Sequence, residues 1–357
     1  MIVTTALLLI FIERANGFGL SRLPQRAHCL GFSSTSIELP PTHPSPPHTF
    51  AGLVEQAIQE RYQNVDRVLE SWRLLELGYQ HKVFVGEDKT SEDNPMLYQE
   101  CHSYVPGLTI QPFWNVDTVS WAQKLEAKYP IILKEFQKAT ANREQLQQQG
   151  NNIWTGALTE DASSYGVGWK TLVLMDRGVW DPVNVELFPK TAQAVRDAGV
   201  PAVEVFFASM EPHSRIQPHS DFTNFVLTSH LALDIPYSGT NQCRLTIADQ
   251  TREWINGEVM LFDTSLMHDA VNDSDRTRYI LMFRVWHPDL TDSERQALQF
   301  IYDCLNAPEI VTGATAEERE RTELAMLAAR TFPAKKNGSQ GFGVQSTTSK
   351  SSKKKRK

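Results

Sequence analysis

Two histidines and one aspartate in the middle of the chain have residue types and spacing that suit a metal ion. His219 and Asp221 occur together in IQPHSDFTNF, and His268 follows 49 residues after His219 in MLFDTSLMHDAVND. Two imidazoles and one carboxylate on one face of a ferrous ion leave three coordination positions open, which is the arrangement of non-haem iron oxygenases. The pattern therefore predicts that His219, Asp221 and His268 hold Fe(II). Asp221 has a second interpretation, as a loop carboxylate that accepts a hydrogen bond from an imidazole N–H.

An arginine follows at a spacing that suits the same chemistry. The open positions of such an iron ion take a 2-oxo acid and O2, and the far carboxylate of the 2-oxo acid then needs a cation. Arg278 lies ten residues after His268 and shares one face of an apolar strand with Ile280 and Met282. An unpaired buried charge is costly, and a guanidinium matches a carboxylate with two parallel hydrogen bonds. We therefore expect Arg278 to bind that carboxylate.

The segments that position these residues have the pattern of strands. From residue 203 onwards, short apolar stretches alternate with turns, in the order VEVFFASM, FVLTSHLALDI, CRLTIA, EWINGEVMLFD and RYILMFRVW. Several short strands at this spacing favour a barrel or jelly roll over a sheet of βαβ units. Asn256 and Gly257 stand between two strand-like runs and predict a two-residue hairpin.

The predicted strand at 225–235 has two different faces, because successive side chains of a strand point to opposite sides. One face is apolar and carries Phe225, Leu227, Leu231, Leu233 and Ile235. The other face is mixed and carries Val226, Thr228, His230, Ala232 and Asp234. The apolar face is expected to pack in the core. His230 on the mixed face is either a hydrogen-bonded residue of the barrel interior or a contact to a ligand.

Helical patterns flank the strands. Apolar residues recur at three- and four-residue steps near the start of 51–102, which we assign to a helical N-terminal region. Residues 117–140 predict another helical segment with Asp117 as its N-cap, and residues 311–332 are assigned to a C-terminal helix. The Gln- and Asn-rich stretch 144–152 is expected to be a surface loop. The fold class expected from these patterns is mainly β with flanking helices (α+β).

The two ends of the chain have compositions of their own. A short apolar run near the start is followed by small residues and by a basic stretch without acidic residues, so residues 1–37 predict a cleavable targeting presequence. Its order resembles the bipartite presequences that direct proteins to complex plastids, and the alternative is a secretory signal. Residues 38–50 are Pro-rich and predict an extended linker. The basic tail, 333–357, is expected to be disordered.

Composition excludes several classes of function. The chain has 357 residues and a net charge of −7, so it is not expected to bind nucleic acid through overall charge. Its four cysteines are far apart and lack the spacing of a disulfide framework or a zinc knuckle. No later apolar stretch reaches the 18 residues expected of a membrane-spanning helix, so none is expected in the mature chain.

Longer motifs around these residues resemble a known family. YVPGLTIQPFW, MEPHSRIQPHSDFTN, SHLALDIP and REWINGEVMLFDTSLMHDAVNDSDRTRYILMFRVWHPDLT are similar to the aspartyl/asparaginyl β-hydroxylase family of 2-oxoglutarate-dependent dioxygenases. The resemblance implies a double-stranded β-helix (jelly-roll, cupin-like) core within a dioxygenase domain at 103–310. It also implies iron ligation by His219 and His268, and 2-oxoglutarate binding by Arg278 with help from His230.

The chain differs from the animal branch of that family at three positions. That branch has Gly two residues after the first histidine, whereas Asp221 stands here, as in the bacterial branch that hydroxylates the acyl chain of lipid A. Thr228 stands where the animal branch has an arginine that helps bind the co-substrate. Ala208 replaces a serine, although Ser209 is adjacent. Thr228 and Ser209 are therefore candidate co-substrate contacts, and binding is expected to depend more heavily on Arg278 and His230.

The function that the resemblance implies is hydroxylation of a C–H bond with Fe(II), 2-oxoglutarate and O2. The substrate is an unknown protein side chain (Asp- or Asn-like) or an acyl chain. Two alternatives stay open from the residues alone. One is a catalytically silent barrel that binds a carboxylate ligand or a partner. The other is a metal-dependent isomerase or hydrolase of the cupin type, which would bind metal without consuming O2.

Overall fold

The structure is a computed structural model that describes residues 39–141, 154–156, 164–166 and 168–331. The predicted presequence at 1–37, the loop at 144–152 and the basic tail at 333–357 lie outside the described residues. The plastid location expected from the presequence therefore stays a prediction. Within the described ranges, no helix combines the length and the apolar composition needed to cross a bilayer.

Helices precede, interrupt and follow the strands. The α-helices are α1 Phe50–Arg61, α2 Asp66–Glu76, α3 Ser120–Glu126, α4 Tyr129–Thr140, α5 Pro182–Leu187, α6 Pro189–Ala198, α7 Asp292–Asn306, α8 Glu309–Thr312 and α9 Ala316–Arg330. Short 3-10 helices lie at Lys89–Ser91, Pro95–Leu97 and Val116–Thr118. Helix α7 begins with a capping box, in which Thr291 accepts from the Glu294 backbone and the Glu294 side chain accepts from the Thr291 backbone.

Strands dominate the part of the chain that carries the predicted site. The first strands are β1 His81–Phe84, β2 Tyr98–Ser103, β3 Thr155–Gly156, β4 Trp169–Asp176, β5 Val179–Trp180, β6 Ala202–Met210, β7 Ser214–His219 and β8 Phe222–Thr223. The others are β9 Val226–Asp234, β10 Tyr237–Ser238, β11 Thr240–Asn241, β12 Cys243–Ile247, β13 Gln250–Glu253, β14 Val259–Phe262, β15 His268–Asn272 and β16 Arg278–Trp286.

Two antiparallel sheets form the body of the fold. The larger sheet has the order β14-β9-β16-β6-β4-β3, with β5 also paired to β4, and the smaller sheet has the order β13-β12-β15-β7. Apolar side chains from both sheets pack together between them, among them Phe206, Ala232 and Ile280 from the larger sheet and Ile216, Leu245 and Ile247 from the smaller one. We call this space the barrel interior. The predicted double-stranded β-helix core with flanking helices is confirmed.

The two faces of β9 behave as the sequence pattern predicts. Leu227, Leu231 and Leu233 pack on the outer face of the large sheet, in a cluster that α3, α4 and α6 cover. Ala232 packs in the barrel interior, and Thr228 and His230, on the same face, are also buried. Because both faces are covered, β9 is buried along nearly its whole length, and most residues of its neighbour β16 are buried.

The region 51–102 is helical only in its first half, which corrects the prediction of a helical N-terminal region. Residues 81–103 instead form an antiparallel hairpin of β1 and β2. Side chains of β2 alternate between buried and half-buried, which is the period of a strand. The buried side carries Gln99, Cys101 and Ser103, and two of these three are polar, so the sequence shows no apolar alternation that would predict a strand. Strand β2 also pairs in parallel with β8, which follows directly after Asp221.

The hairpin predicted at Asn256 and Gly257 is wrong. Gly257 does adopt the positive φ of a turn, at 87°. The strands on either side nevertheless belong to different sheets, because β13 pairs with β12 and β14 pairs with β9. The turn carries the chain from the small sheet to the large one. The two-residue hairpin lies instead at Ala248, with φ of 52°, and the following Asp249, where β12 meets β13.

The helical segment predicted at 117–140 is divided. Helix α3 ends before Lys128, and α4 begins anew with Pro130 in its first turn, where a missing backbone N–H costs nothing. Asp117 is not the N-cap of α3. It lies in the preceding 3-10 helix, whose cap is the side chain of Asn115.

A buried histidine of the hairpin makes stability depend on pH. His81 is 2% exposed and stacks on Tyr104, and burial lowers its pKa to about 4 from an ordinary value of 6.5. Below pH 6.5 the unfolded chain takes up a proton that the folded chain does not. The contribution to stability is therefore fully present above pH 6.5 and is lost as the pH falls toward 4, by on the order of 3 kcal/mol.

Urea unfolding at several pH values, with a metal chelator present, measures this change in the free energy of unfolding. The same pH dependence in His81→Gln as in the unaltered protein would contradict this assignment.

Candidate metal and co-substrate site

The structure brings the three predicted metal ligands together. His219 ends β7, His268 begins β15, and the two residues are register partners on neighbouring strands. Their ring centroids lie 4.2 Å apart, and Asp221 follows two residues after His219. Possible ligand atoms of His219, Asp221 and His268 all lie within 4.8 Å of one another. This is a separation that a single ion can bridge.

Backbone carbonyls orient both imidazoles for metal binding. Nδ1 of His219 lies 2.8 Å from the carbonyl of Gln217, and Nδ1 of His268 lies 2.9 Å from that of Leu266. Each carbonyl needs a donor, so each Nδ1 carries the proton and each Nε2 keeps its lone pair. Burial, and after it the neighbouring His219 side chain, lowers the pKa of His268 to about 3, which keeps the His268 imidazole neutral at neutral pH. Nε2 of His219 is buried with no hydrogen-bond partner among the described residues.

Asp221 is held from two sides. Its Oδ1 accepts a hydrogen bond from the Tyr165 hydroxyl at 3.0 Å, and its Oδ2 accepts one from Nη1 of Arg284. Oδ1 also lies 3.7 Å from Nε2 of His219. Burial alone would raise the pKa of Asp221, but the Arg284 guanidinium and the two imidazoles outweigh it and hold that pKa well below its usual range. The carboxylate is therefore ionised and turned toward the imidazoles.

Arg284 and Tyr165 are site residues that the sequence patterns did not single out. Arg284 is 4% exposed, and it is six residues beyond Arg278 on β16. Because the period of a strand is two, residues 278, 280, 282 and 284 share a face, and this alternation could have identified Arg284. Tyr165 offered no such pattern, because it comes from the segment before β4 and packs edge-on against the His219 ring at 4.7 Å between centroids.

Arg278 is buried without an anionic partner in the described part of the chain. It is 1% exposed, and its Nε and Nη1 have no hydrogen-bond partner there. Nη2 contacts the sulfur of Met210 at 3.6 Å, and the guanidinium lies 4.4 Å from the ring centroid of Trp254. Burial lowers its pKa to about 10, so the group is still charged at neutral pH. A buried cation with two free N–H groups is a receptor for a carboxylate.

His230 completes this receptor. Its Nδ1 accepts a hydrogen bond from Nε1 of Trp254 at 3.1 Å, while its buried Nε2 has no partner among the described residues. Burial, and then the Arg278 charge, hold the pKa of His230 well below its usual range. In a neutral imidazole whose Nδ1 accepts, Nε2 carries the proton. His230 therefore offers an N–H donor, and the hydrogen bond from Trp254 sets its tautomer.

Two other predicted co-substrate contacts have different surroundings. Thr228 is fully buried, but its hydroxyl contacts Thr264 at 3.0 Å and Nη1 of Arg284 at 3.1 Å, at the Asp221 end of the site. The prediction that Ser209 binds the co-substrate is wrong in this structure. Ala208 and Met210 face the barrel interior, so Ser209 between them faces the other way, and its hydroxyl donates to the carbonyl of Lys170 at 3.4 Å.

Three further side chains have structural surroundings. Oδ1 of Asp263 accepts hydrogen bonds from the backbone N–H and the hydroxyl of Ser265, and burial raises the pKa of Asp263 to about 6. His213 is exposed and lies 2.9 Å from Asp275. His287 is fully buried against the carbonyl of Thr109 at 3.0 Å, away from the metal ligands.

The donors of this site fit an Fe(II) ion and a dicarboxylate. Two Nε2 lone pairs and one carboxylate are the donor set of a facial triad. Nε and Nη1 of Arg278 and Nε2 of His230 are buried and have no hydrogen-bond partner within the described ranges. Without a bound ligand, these buried N–H groups lose their hydrogen bonds to water and gain none in the protein, which is unfavourable for folding. The residues present thus fit a 2-oxo dicarboxylate bound between the triad and Arg278.

Comparison with known proteins confirms the family resemblance. The model of the family described as Aspartyl/Asparaginyl beta-hydroxylase matches residues 126–288. The protein named aspartyl/asparaginyl beta-hydroxylase from Mus musculus is 27% identical over 241 residues, which are 65% of this chain and 29% of that protein. The ornithine lipid ester-linked acyl 2-hydroxylase of Rhizobium tropici is 29% identical over 171 residues, which are 48% of this chain and 58% of that protein.

A solved prolyl hydroxylase from Trichoplax adhaerens, in complex with a hypoxia inducible factor peptide fragment, is 11% identical with a TM-score of 0.32. The match covers 49% of this chain and 94% of that chain. The match to the mouse protein, by contrast, spans only 29% of its length.

Proposed function

We propose that this relative of the aspartyl/asparaginyl β-hydroxylases is an Fe(II)- and 2-oxoglutarate-dependent hydroxylase. The observation that supports it most is the Arg278 guanidinium, which is buried with two nitrogens unpartnered among the described residues. Together with the group of His219, Asp221 and His268, such a cation suits a co-substrate that has both a metal-binding end and a free carboxylate. The reaction consumes 2-oxoglutarate, O2 and a C–H bond, and yields succinate, CO2 and a C–OH bond.

Each side chain has a defined part in this proposal. His219, His268 and Asp221 would hold the iron, which when bound activates O2 and leaves positions for the co-substrate. Arg278 and the Nε2–H of His230 would bind the far carboxylate of 2-oxoglutarate. The apolar surroundings of the interior exclude water and strengthen these charge-assisted hydrogen bonds.

The substrate class is an Asp- or Asn-like side chain of a protein, or an acyl chain. The names of the mouse and Rhizobium relatives mention these two kinds of target. Asp221 favours neither, because it belongs to the metal end of the site and not to the surface that a substrate would meet.

The proposal predicts that purified protein forms succinate from 2-oxoglutarate in the presence of Fe(II) and ascorbate. Turnover without substrate is expected to be slow and to rise when an accepted peptide or lipid is added. Succinate measured by mass spectrometry, together with iron content, tests it. A protein that retains no iron and forms no succinate with any pool of substrates would refute the proposal. Metal binding without O2 consumption would favour an isomerase or hydrolase instead.

A further inference from the structure

We infer that Arg284 is a positioning residue for Asp221: it pairs with one carboxylate oxygen, so that the other faces the metal, and it balances the carboxylate charge inside the barrel. The inference rests on the metal site of the proposed function. It assigns a part to a residue that contacts neither the ion nor the predicted receptor for the far carboxylate.

The contacts of Arg284 fix its direction. Nη1 donates to Oδ2 of Asp221 and also lies 3.1 Å from the hydroxyl of Thr228 and 3.0 Å from that of Thr264. The two hydroxyls are themselves 3.0 Å apart. One guanidinium nitrogen is thus surrounded by three oxygens, and only one of them carries a charge.

The opposite oxygen of the carboxylate is held separately. Oδ1 of Asp221 accepts from the Tyr165 hydroxyl and faces Nε2 of His219. With Oδ2 bound by Arg284, Oδ1 is the oxygen that the ion can use. Asp221 would therefore enter the metal site as a ligand through one oxygen.

Stability alone is a poor explanation for this pair. The side chains of Arg284 and Asp221 are 5% and 11% exposed, so both charges are nearly removed from water. The desolvation cost of a buried ion pair often cancels its Coulombic gain, and apolar replacements of both partners are often as stable. A buried pair of this kind, formed by a proposed metal ligand, points to orientation and charge balance.

The charge balance leads to a measurable coupling. The Asp221 carboxylate is the largest opposite charge acting on Arg284, and the buried Glu204 carboxylate is the next. Loss of the Asp221 carboxylate alone leaves the guanidinium near a divalent cation without its main counter-charge, whereas loss of both side chains also removes the repulsion between the guanidinium and the ion. The cost of losing Asp221 should therefore depend on whether Arg284 is present.

A double-mutant cycle on Mn(II) affinity, measured by titration without 2-oxoglutarate, tests this. Asp221→Asn should weaken Mn(II) binding at least about 100-fold in the otherwise unaltered protein, but only about tenfold in an Arg284→Met background. Arg284→Lys keeps the cation, so the loss in that background should stay close to the larger value. If Arg284→Met does not fold, as judged by circular dichroism, Arg284→Gln replaces it, because its amide can still bond to the threonine hydroxyls.

Arg278 provides the matched control, because it is an interior arginine on the same strand but not in contact with Asp221. The Asp221→Asn loss should be unchanged in an Arg278→Met background. Equal losses with and without Arg284, within about threefold, would overturn the inference. An unaltered protein that does not bind Mn(II) would instead refute the metal site, so the two failures are distinguishable.

Discussion

Arg278→Met will raise the 2-oxoglutarate concentration for half-maximal turnover at least about 100-fold, or abolish turnover, while Mn(II) affinity is unchanged. A charge-assisted two-pronged contact to a carboxylate is worth about 3 kcal/mol, which is about 100-fold in affinity. The variant should also be no less stable than the unaltered protein when co-substrate is absent. Arg278 is 1% exposed with Nε and Nη1 unpartnered among the described residues, so methionine replaces an uncompensated buried cation with an apolar chain.

Arg276 offers the control for this variant. It stands two residues earlier, and its side chain is exposed and pairs with Asp234 at 3.3 Å. Arg276→Met should leave the KM for 2-oxoglutarate and the stability nearly unchanged, since exposed ion pairs contribute little. Succinate formation over a range of 2-oxoglutarate concentrations, with urea unfolding, measures both quantities. Normal turnover in Arg278→Met would remove Arg278 from the site.

His268→Ala will abolish iron retention and lower succinate formation at least about 1,000-fold. The imidazole would supply one of three ligands, and its Nδ1 is held by the Leu266 carbonyl, so that its Nε2 is the atom left for the ion. Iron content and initial rates, measured side by side, test the prediction. Affinity for 2-oxoglutarate should fall together with the metal if the co-substrate binds through the ion.

The same variant separates an enzyme from a silent binder. A barrel that only binds a carboxylate through Arg278 and His230 would keep its ligand affinity in His268→Ala. His213→Ala is the matched control. His213 is exposed in the turn before β7, and its ring pairs with the side chain of Asp275. Its substitution should change neither iron content nor rate. Retained ligand affinity in His268→Ala would favour the binder.

The grouping of His219, Asp221 and His268 and the burial of Arg278 could be predicted because the signals for them are local or periodic. His219 and Asp221 are two residues apart, His268 follows an apolar strand, and Arg278 opens another. A buried arginine on such a strand requires an anion wherever the strand lies. The faces of β9 were equally predictable, since alternation depends only on the neighbours along the chain.

Contacts that depend on which strands are adjacent could not be predicted from local patterns. Arg284 meets Asp221 across 63 residues, and Trp254 meets His230 across 24. The register of β16 and β9, which pairs Arg284 with Thr228, decides the first of these contacts. The turn at Gly257 shows the same limit, because a dipeptide predicts that the chain turns but not which sheet the next strand joins.

The pairing of β2 with β8 bears on where a shortened version of this protein can begin. Strand β8 follows Asp221 directly, and Ser220 before it donates from its hydroxyl to the Glu100 carbonyl at 2.6 Å. The family match starts only at residue 126. A fragment limited to residues 126–288 would lack β2, and the backbone next to Asp221 would then lose its hydrogen-bonding partners. The unit to express, crystallise or graft therefore includes the first hairpin, even though the family match begins after it.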